Sequence, residues 1–197
     1  MAPESASTIW NVPNILTLVR IALIPVMAVL LLSPSKEAGF WAAAVFAIAS
    51  VTDWLDGYLA RKMEIVTVFG KFLDPIADKL MVMAALIMVL PFNRIPAWMV
   101  LVILGREIII TGLRGIASTE GIVIPASDLG KFKTIFQIVA ILGILLHFDY
   151  HWFFGIDHPY LYVNMHNVGM FYLWIATIIT IWSGVDYLVK FTKVIAR

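Results

Sequence analysis

The sequence has little charge and no cysteine. Only 14% of its 197 residues are Asp, Glu, Lys or Arg, whereas 61% are hydrophobic. A soluble domain of this length needs more charge on its surface, so the composition is typical of a membrane protein. Without cysteine, neither a disulfide framework nor a thiolate metal site is available. The net charge of +1 says little about partners, and we expect the lipid bilayer rather than a nucleic acid.

The N-terminus also lacks the features of a signal peptide. Residues 1–14 contain no basic n-region and no cleavage site, and Ile9 and Trp10 ahead of Pro13 predict a short interfacial segment. Beyond it, hydropathy predicts an all-α integral membrane protein with six transmembrane helices. The predicted spans are residues 15–33, 39–60, 71–90, 97–117, 131–148 and 167–189. With no internal repeat or linker, we expect one domain over residues 1–197.

The basic residues predict the orientation of these spans. If the spans alternate in direction, most basic residues fall on one side, and the other side keeps only Lys36 and Arg94. The shared side carries Arg61, Lys62, Arg114, Lys131, Lys133, Lys190, Lys193 and Arg197. By the positive-inside rule, both termini and a polar cavity face the cytoplasm, and residues 149–166 form an external loop.

Four aspartates interrupt the apolar sequence. Asp53 and Asp56 are three residues apart, and Asp74 and Asp78 are four apart, so each pair lies on one face of a helix. A carboxylate at the centre of a membrane helix costs roughly 2.5–3.5 kcal/mol on insertion scales, which makes such acids candidates for a functional site. Counted from the loop near Ile65, the two pairs match in depth. Two antiparallel helices would therefore stack the four carboxylates in two layers.

Four converging carboxylates repel one another unless cations balance them. Two divalent cations would neutralise them, and ligation by oxygen alone favours Mg²⁺ or Mn²⁺. Two such ions about 3.5–4 Å apart form a clamp for phosphoryl displacement. The alternative is a set of structural ion pairs with Lys62, Lys71 or Lys79.

Small residues and an arginine complete a longer pattern around these acids. Asp53-Trp-Leu-Asp56-Gly57-Tyr-Leu-Ala60-Arg61 is followed after eight residues by Gly70-Lys-Phe-Leu-Asp74-Pro-Ile-Ala-Asp78. The pattern D-x₂-D-G-x₂-A-R-x₈-G-x₃-D-x₃-D resembles the signature of the CDP-alcohol phosphotransferases at every fixed position. The resemblance implies a membrane enzyme with a six-helix core, which displaces CMP from a CDP-linked lipid by an alcohol.

Three further stretches resemble the bacterial members of this family that use glycerol 3-phosphate. They are residues 11–20, 105–114 and 126–134. The resemblance then implies that the substrates are CDP-diacylglycerol and glycerol 3-phosphate, and that the enzyme lies in the bacterial cytoplasmic membrane. A homodimer is compatible with the sequence, which leaves the oligomeric state open.

The resemblance also implies roles for the residues of the motif. The four aspartates would hold two divalent cations, Mg²⁺ or Mn²⁺, and Asp78 would also act as the general base on the acceptor hydroxyl. The cytidine diphosphate would contact Gly57, Ala60, Arg61 and Gly70, with Asn14 and Thr17. For either glycine, the alternative is a close-packing position in a membrane helix.

A phosphorylated acceptor needs fixed cations, and two spans supply candidates. Arg106 and Arg114 lie eight residues apart, which is about 12 Å of helix rise, and Lys131 and Lys133 open the next span. The alternatives are an ion pair between Arg106 and its neighbour Glu107, and lysines that only anchor the cytoplasmic face. Arg20 faces the same side, where it would bind headgroups or adjust the electrostatics of the site.

Four histidines surround the predicted external loop: His147, His151, His158 and His166. Their spacing matches no compact metal-ligand motif. We interpret them as polar residues of the membrane interface, with a second metal site as the alternative.

Other functions are open from the residues alone. The same chemistry with inositol phosphate is compatible with the basic residues, whereas serine has no phosphate for them to bind. A divalent-cation or proton transporter could use the acids as a relay, but the neighbouring basic residues disfavour a cation path. A membrane prenyltransferase also uses aspartates with Mg²⁺. The presence of Gly57, Ala60 and Arg61 beside the aspartates disfavours that function.

Overall fold

The computed structural model describes residues 11–62, 68–119, 128–151 and 162–195. Side chains are described for all of these except residues 54, 56–62, 68, 69, 71, 72, 128, 129, 131, 151, 162 and 195. Residues 1–10 of the predicted interfacial segment and residues 152–161 of the predicted external loop lie outside the described residues, whereas α1 already includes residues 12–14.

Long helices account for most of the described chain. They are α1 (Val12–Leu30), α2 (Lys36–Lys62), α3 (Val68–Met88), α4 (Ala97–Thr119), α5 (Asp128–Leu146) and α6 (Met165–Ile195). A 3₁₀-helix, Leu90–Phe92, precedes α4. Each of the six predicted spans overlaps one helix, so the prediction of a mostly helical protein is confirmed.

The predicted external loop contains a short antiparallel hairpin that the sequence analysis missed. Strand β1 (Asp149–His151) pairs with β2 (Tyr162–Asn164), with Asp149 opposite Asn164. The side-chain amide of Asn164 donates to the Asp149 carboxylate at 2.7 Å. Strands of three residues are too short to show a hydrophobic periodicity in the sequence.

Within the described residues, three helical stretches are long and apolar enough to cross a membrane. They are Val12–Leu30, Leu73–Phe92 and Met165–Val194, and α5 contributes a shorter apolar stretch, Phe132–Leu146. Large apolar side chains are exposed on the helices, including Leu101 at 74% and Trp182 at 68%. Such an apolar exterior is suited to lipid rather than water.

Local sequence explains where the first two helices begin. The side-chain oxygen of Asn11 accepts from the Asn14 N–H at 2.9 Å, and Pro13 occupies the first turn of α1. The Ser35 hydroxyl accepts from the Ala38 N–H at 3.1 Å at the start of α2. Both are N-caps, which satisfy backbone donors that the first helical turn leaves without partners.

The chain divides into two compact units between Met88 and Val89. In the first unit, α1 packs against both α2 and α3, while α2 and α3 have little contact with each other. In the second unit, α6 packs extensively against α5 and also contacts α4. Helix α1 is therefore the central helix of the first unit, and α6 is the central helix of the second unit.

Helices α5 and α6 approach until their backbones touch at two glycines. A Cβ on Gly143 would lie 2.6 Å from the Cα of Gly169, and a Cβ on Gly169 would lie 2.6 Å from the backbone nitrogen of Ile144. Real side chains do not tolerate such distances. Small residues at a helix crossing maximise van der Waals contact between membrane helices.

We predict that Gly143→Ala and Gly169→Ala each lower the thermal unfolding temperature of the detergent-solubilised protein. The added methyl group must push backbone away, and overpacking of this kind costs about 1–3 kcal/mol. Gly115→Ala is the matched control, because its Cβ would meet nothing within 4 Å. Equal unfolding temperatures for all three variants would contradict the close crossing.

Candidate active site

One face of the apolar helix α1 is polar and buried. Asn14, Thr17 and Arg20 are three residues apart in sequence and all three are buried, so they follow one another along the same face. Buried polar groups require partners. For Thr17 and Arg20, those partners include acids on the two neighbouring helices.

Arg20 forms an ion pair with one of the predicted metal ligands. Its Nη1 lies 2.7 Å from Oδ1 of Asp53 on α2. The Arg20 side chain is 1% exposed, whereas that of Asp53 is 41% exposed. The carboxylate thus neutralises a buried guanidinium on one side and remains accessible on the other.

Thr17 binds a second predicted ligand. Its hydroxyl donates to Oδ1 of Asp74 on α3 at 2.5 Å and also lies 3.1 Å from the carbonyl oxygen of Pro13. A hydroxyl has one proton to donate, so the carboxylate and the carbonyl share it. Because Thr17 and Arg20 are one turn apart, α1 holds Asp53 and Asp74 at neighbouring positions on one face.

The other predicted residues of this site are described to different extents. Asp78 is exposed on α3, one turn after Asp74, and Gly70 is buried near the start of α3. The side chains of Asp56, Gly57, Ala60 and Arg61 lie outside those described, although their backbone belongs to α2. Among the described side chains, no group of three or more His, Asp or Glu could share a metal ion. The four-acid site that includes Asp56 therefore stays a prediction.

The second unit holds a cluster of cations around one acid. Glu107 on α4 is ion-paired with its neighbour Arg106 at 3.1 Å and with Lys133 of α5. Arg106 Nη2 also donates to the Ser183 hydroxyl of α6 at 3.3 Å. The Arg106–Glu107 pair is the alternative considered above, but the sequence analysis did not include Lys133 in it.

Arg114 extends this cluster along α6. Its guanidinium carbon lies 5.9 Å from the ring centroid of Tyr187, in cation–π geometry. Ser183 and Tyr187 are four residues apart, so Arg106 and Arg114 meet α6 one turn apart. Counting Arg106, Arg114, Lys133 and Glu107, the cluster carries a net charge of +2. Lys131 begins the same helix as Lys133, but its side chain lies outside those described.

Two hydrogen-bond donors of this cluster are available to a ligand. Arg106 Nε and the Tyr187 hydroxyl are buried and have no hydrogen-bond partner among the described residues. Buried donors without partners are rare and costly in folded proteins. Together with the net positive charge, they suit an anionic, hydrogen-bonding ligand.

Comparison with known families decides where the chain belongs. A family model described as CDP-alcohol phosphatidyltransferase matches residues 10–182, which includes every residue predicted above for a site. The chain belongs to the CDP-alcohol phosphatidyltransferase family. The resemblance inferred from the aspartate motif is thereby confirmed. The family generally uses divalent metal ions.

Individual relatives are similar over nearly their whole length. A protein of Bacillus subtilis is 44% identical over 193 residues, which cover 92% of this chain and 95% of the relative. Proteins of Haemophilus influenzae and Escherichia coli K12 are 39% and 37% identical, each covering 91% of this chain and 92% and 93% of the relative. All three are named CDP-diacylglycerol–glycerol-3-phosphate 3-phosphatidyltransferase.

Sequence reasoning missed most partners of the charged residues. It left Arg20 without a partner, assigned Thr17 only to the nucleotide, and did not single out Ser183 or Tyr187. The three-residue spacing of Asn14, Thr17 and Arg20 was a usable signal, because it marks a polar face on an apolar helix.

We predict that Asp53→Asn destabilises the protein more than Asp78→Asn. The first substitution removes a carboxylate that pairs with a buried guanidinium, and the loss of a partner of a buried charged group costs about 1–3 kcal/mol. Asp78 is exposed, so its loss should hardly change the unfolding temperature. Thermal unfolding should be measured with a chelator present, so that metal binding does not contribute. A lower unfolding temperature for Asp78→Asn than for Asp53→Asn would contradict the role assigned to Arg20.

Proposed function

We propose that this member of the family transfers the phosphatidyl group of CDP-diacylglycerol to glycerol 3-phosphate and releases CMP. The observation that carries the proposal is the shared name of relatives that are 37–44% identical and cover 91% or more of this chain. The intact aspartate motif and the +2 cluster of the second unit support it from the residues. The reaction is a step of phospholipid biosynthesis.

Two divalent cations, Mg²⁺ or Mn²⁺, are part of the proposal, held by Asp53, Asp56, Asp74 and Asp78. The donors are all carboxylate oxygens, which suit these hard cations. Support comes from α1, where the partners of Asp53 and Asp74, Arg20 and Thr17, are one turn apart. Bound there, the metals would neutralise charge on the pyrophosphate and on the leaving CMP.

The motif residues around the acids would bind the cytidine diphosphate. These are Gly57, Ala60, Arg61 and Gly70, together with Asn14 and Thr17 of α1. Glycine and alanine leave room for a ligand against the helix backbone, and the Arg61 guanidinium can hold a phosphate in two hydrogen bonds. In this arrangement Thr17 has two functions, since its hydroxyl also orients Asp74.

The phosphate of glycerol 3-phosphate would bind the cations of the second unit: Arg106, Arg114, Lys131 and Lys133. The buried donors of Arg106 and Tyr187 support this assignment. Glu107 would keep Arg106 and Lys133 in place and reduce the repulsion between these two cations. Binding this remote phosphate would position the acceptor hydroxyl for attack.

Asp78 is the proposed general base of the reaction. It would take the proton of the acceptor hydroxyl while that oxygen attacks the phosphorus of the phosphatidyl group. The bond from this phosphorus to the CMP oxygen then breaks, and CMP leaves. The exposed position of Asp78 on α3 makes its carboxylate accessible to a substrate hydroxyl.

The membrane arrangement is also proposed. All six helices would cross the bacterial cytoplasmic membrane as one domain, with both termini and the polar cavity on the cytoplasmic side. The family match across both units supports a single domain, and the distribution of basic residues supports the orientation.

The function is tested by CMP release from CDP-diacylglycerol in detergent. We expect turnover with glycerol 3-phosphate, much less with inositol phosphate or serine, and none after exhaustive chelation until Mg²⁺ or Mn²⁺ is restored. Turnover with inositol phosphate equal to that with glycerol 3-phosphate would exclude the proposed acceptor. Full activity in excess chelator would exclude the proposed metals.

Asp78→Asn should lose turnover yet still bind a cytidine nucleotide, because three carboxylates remain to retain a cation.

We predict that Arg114→Ala raises the KM for glycerol 3-phosphate and lowers kcat/KM by about tenfold to a hundredfold, since a charge-assisted hydrogen bond is worth roughly 1.5–3 kcal/mol. The kinetic constants for CDP-diacylglycerol should change little. Lys190→Ala is the matched control, because this exposed cation is paired with Asp186 and has no assigned role. A loss confined to CDP-diacylglycerol would show that Arg114 lies in the donor site.

A further inference from the structure

Two of the four histidines meet at the end of the second unit that is remote from the cation cluster. His147 directly follows α5 and His166 lies in the first turn of α6. Their Nδ1 atoms are 3.1 Å apart, although the residues are 19 positions apart in sequence. Neither residue has a part in the proposed reaction. His151 and His158 cannot be placed with them, because His158 and the side chain of His151 lie outside the described parts of the chain.

The backbone around His147 fixes the position of its ring. His147 has a φ of 55°, a left-handed conformation that is uncommon outside glycine. Its N–H donates to the carbonyl of Gly143 at 2.9 Å, so His147 caps the end of α5 in the way that glycine usually does. The contact between Gly143 and Gly169 then holds α6, and with it His166, against this cap. Both rings are therefore anchored to one rigid helix crossing.

The 3.1 Å between the two Nδ1 atoms is a hydrogen-bond distance between the rings, and it is also close to the separation of two nitrogens that bind one metal ion. Two histidine nitrogens at 2.0–2.1 Å from a tetrahedral ion are about 3.3 Å apart. We propose that His147 and His166 bind a transition-metal ion such as Zn²⁺ through their Nδ1 atoms. Imidazole nitrogen suits Zn²⁺, Cu²⁺ or Ni²⁺, whereas Mg²⁺ and Mn²⁺ favour the carboxylates of the catalytic motif.

The surroundings define how strong this site is. In the described part of the chain, no third His, Asp or Glu joins the pair. The Asp149 carboxylate is hydrogen-bonded to Asn164. Arg94 is nearby, since its guanidinium and the His147 ring both contact the Phe148 ring, at 5.9 and 5.3 Å. The positive charge of Arg94 weakens the binding of a cation at this position, so the metal affinity is modest. The selectivity for transition metals comes from the imidazole ligands.

The site is separate from the proposed acceptor site. His147 lies 14 residues beyond Lys133, which corresponds to about 21 Å along the helix axis. In the proposed orientation it faces the outside of the membrane. Metal bound there would therefore not compete with glycerol 3-phosphate at the proposed acceptor site.

The experiment is calorimetric titration of the full chain with Zn²⁺ in detergent. The affinity tag should be removed, and Mg²⁺ should be present in excess to occupy the carboxylates. We expect one Zn²⁺ per chain under these conditions. His147→Asn keeps a residue that tolerates the left-handed backbone, and His166→Gln removes the second ring. Because the loss of a residue that only supports a ligand already costs about 10–100-fold in metal affinity, each variant should bind Zn²⁺ at least about tenfold more weakly.

His151→Gln and His158→Gln are the matched controls and should bind Zn²⁺ like the original chain. CMP release should be unchanged in His147→Asn and His166→Gln, which shows that these variants are folded. Zn²⁺ affinity unchanged in both variants would overturn the proposal. So would an equal loss of affinity in all four histidine variants, because the site would then not be the pair of His147 and His166.

Discussion

Arg20 places a guanidinium inside an apolar helix unit, where a charge without a partner costs several kcal/mol. Asp53 supplies a balancing carboxylate from α2 to this buried face of α1. Thr17 lies on the same face one turn earlier, so its hydroxyl reaches Asp74 of α3. The position of two acids of the family motif thus follows from neutralising one buried cation. Helix α1 contributes none of the predicted metal ligands, yet it contacts two of them, Asp53 and Asp74.

In the second unit the charges are reversed, because one acid neutralises cations from two helices. Glu107 is a single acid between two cations, and its contacts join α4 to α5. Arg106 continues the network to Ser183 on α6, and Arg114 rests on the Tyr187 ring one turn away. Each helix of this unit therefore contributes to one positively charged surface. The helices also pack by direct backbone contact at Gly143 and Gly169, which requires no polar group.

The sequence predicted the helices and the motif because both depend on local patterns. Long apolar stretches mark membrane helices, and the aspartate spacing is contained in one continuous segment. The partners of Arg20 and Lys133 could not be predicted in this way, since they depend on which sides of the helices pack against each other. The contact between His147 and His166 is likewise non-local, and their spacing favoured interfacial residues over a second metal site. Pairing across helices is set by packing, for which a single sequence has no simple periodic signal.

The internal pairs also affect how ligands can bind. Asp53 and Asp74 already have partners on α1, and Arg106 and Lys133 already have Glu107. A metal ion or a phosphate bound there as proposed would therefore exchange one set of charge interactions for another, so the binding free energy would be a difference rather than the sum of the new contacts. The existing pairs stabilise the helices without ligands and would moderate ground-state affinity. Interactions that strengthen only as charge moves from the acceptor to CMP are not offset in this way, and these are the ones that accelerate the reaction.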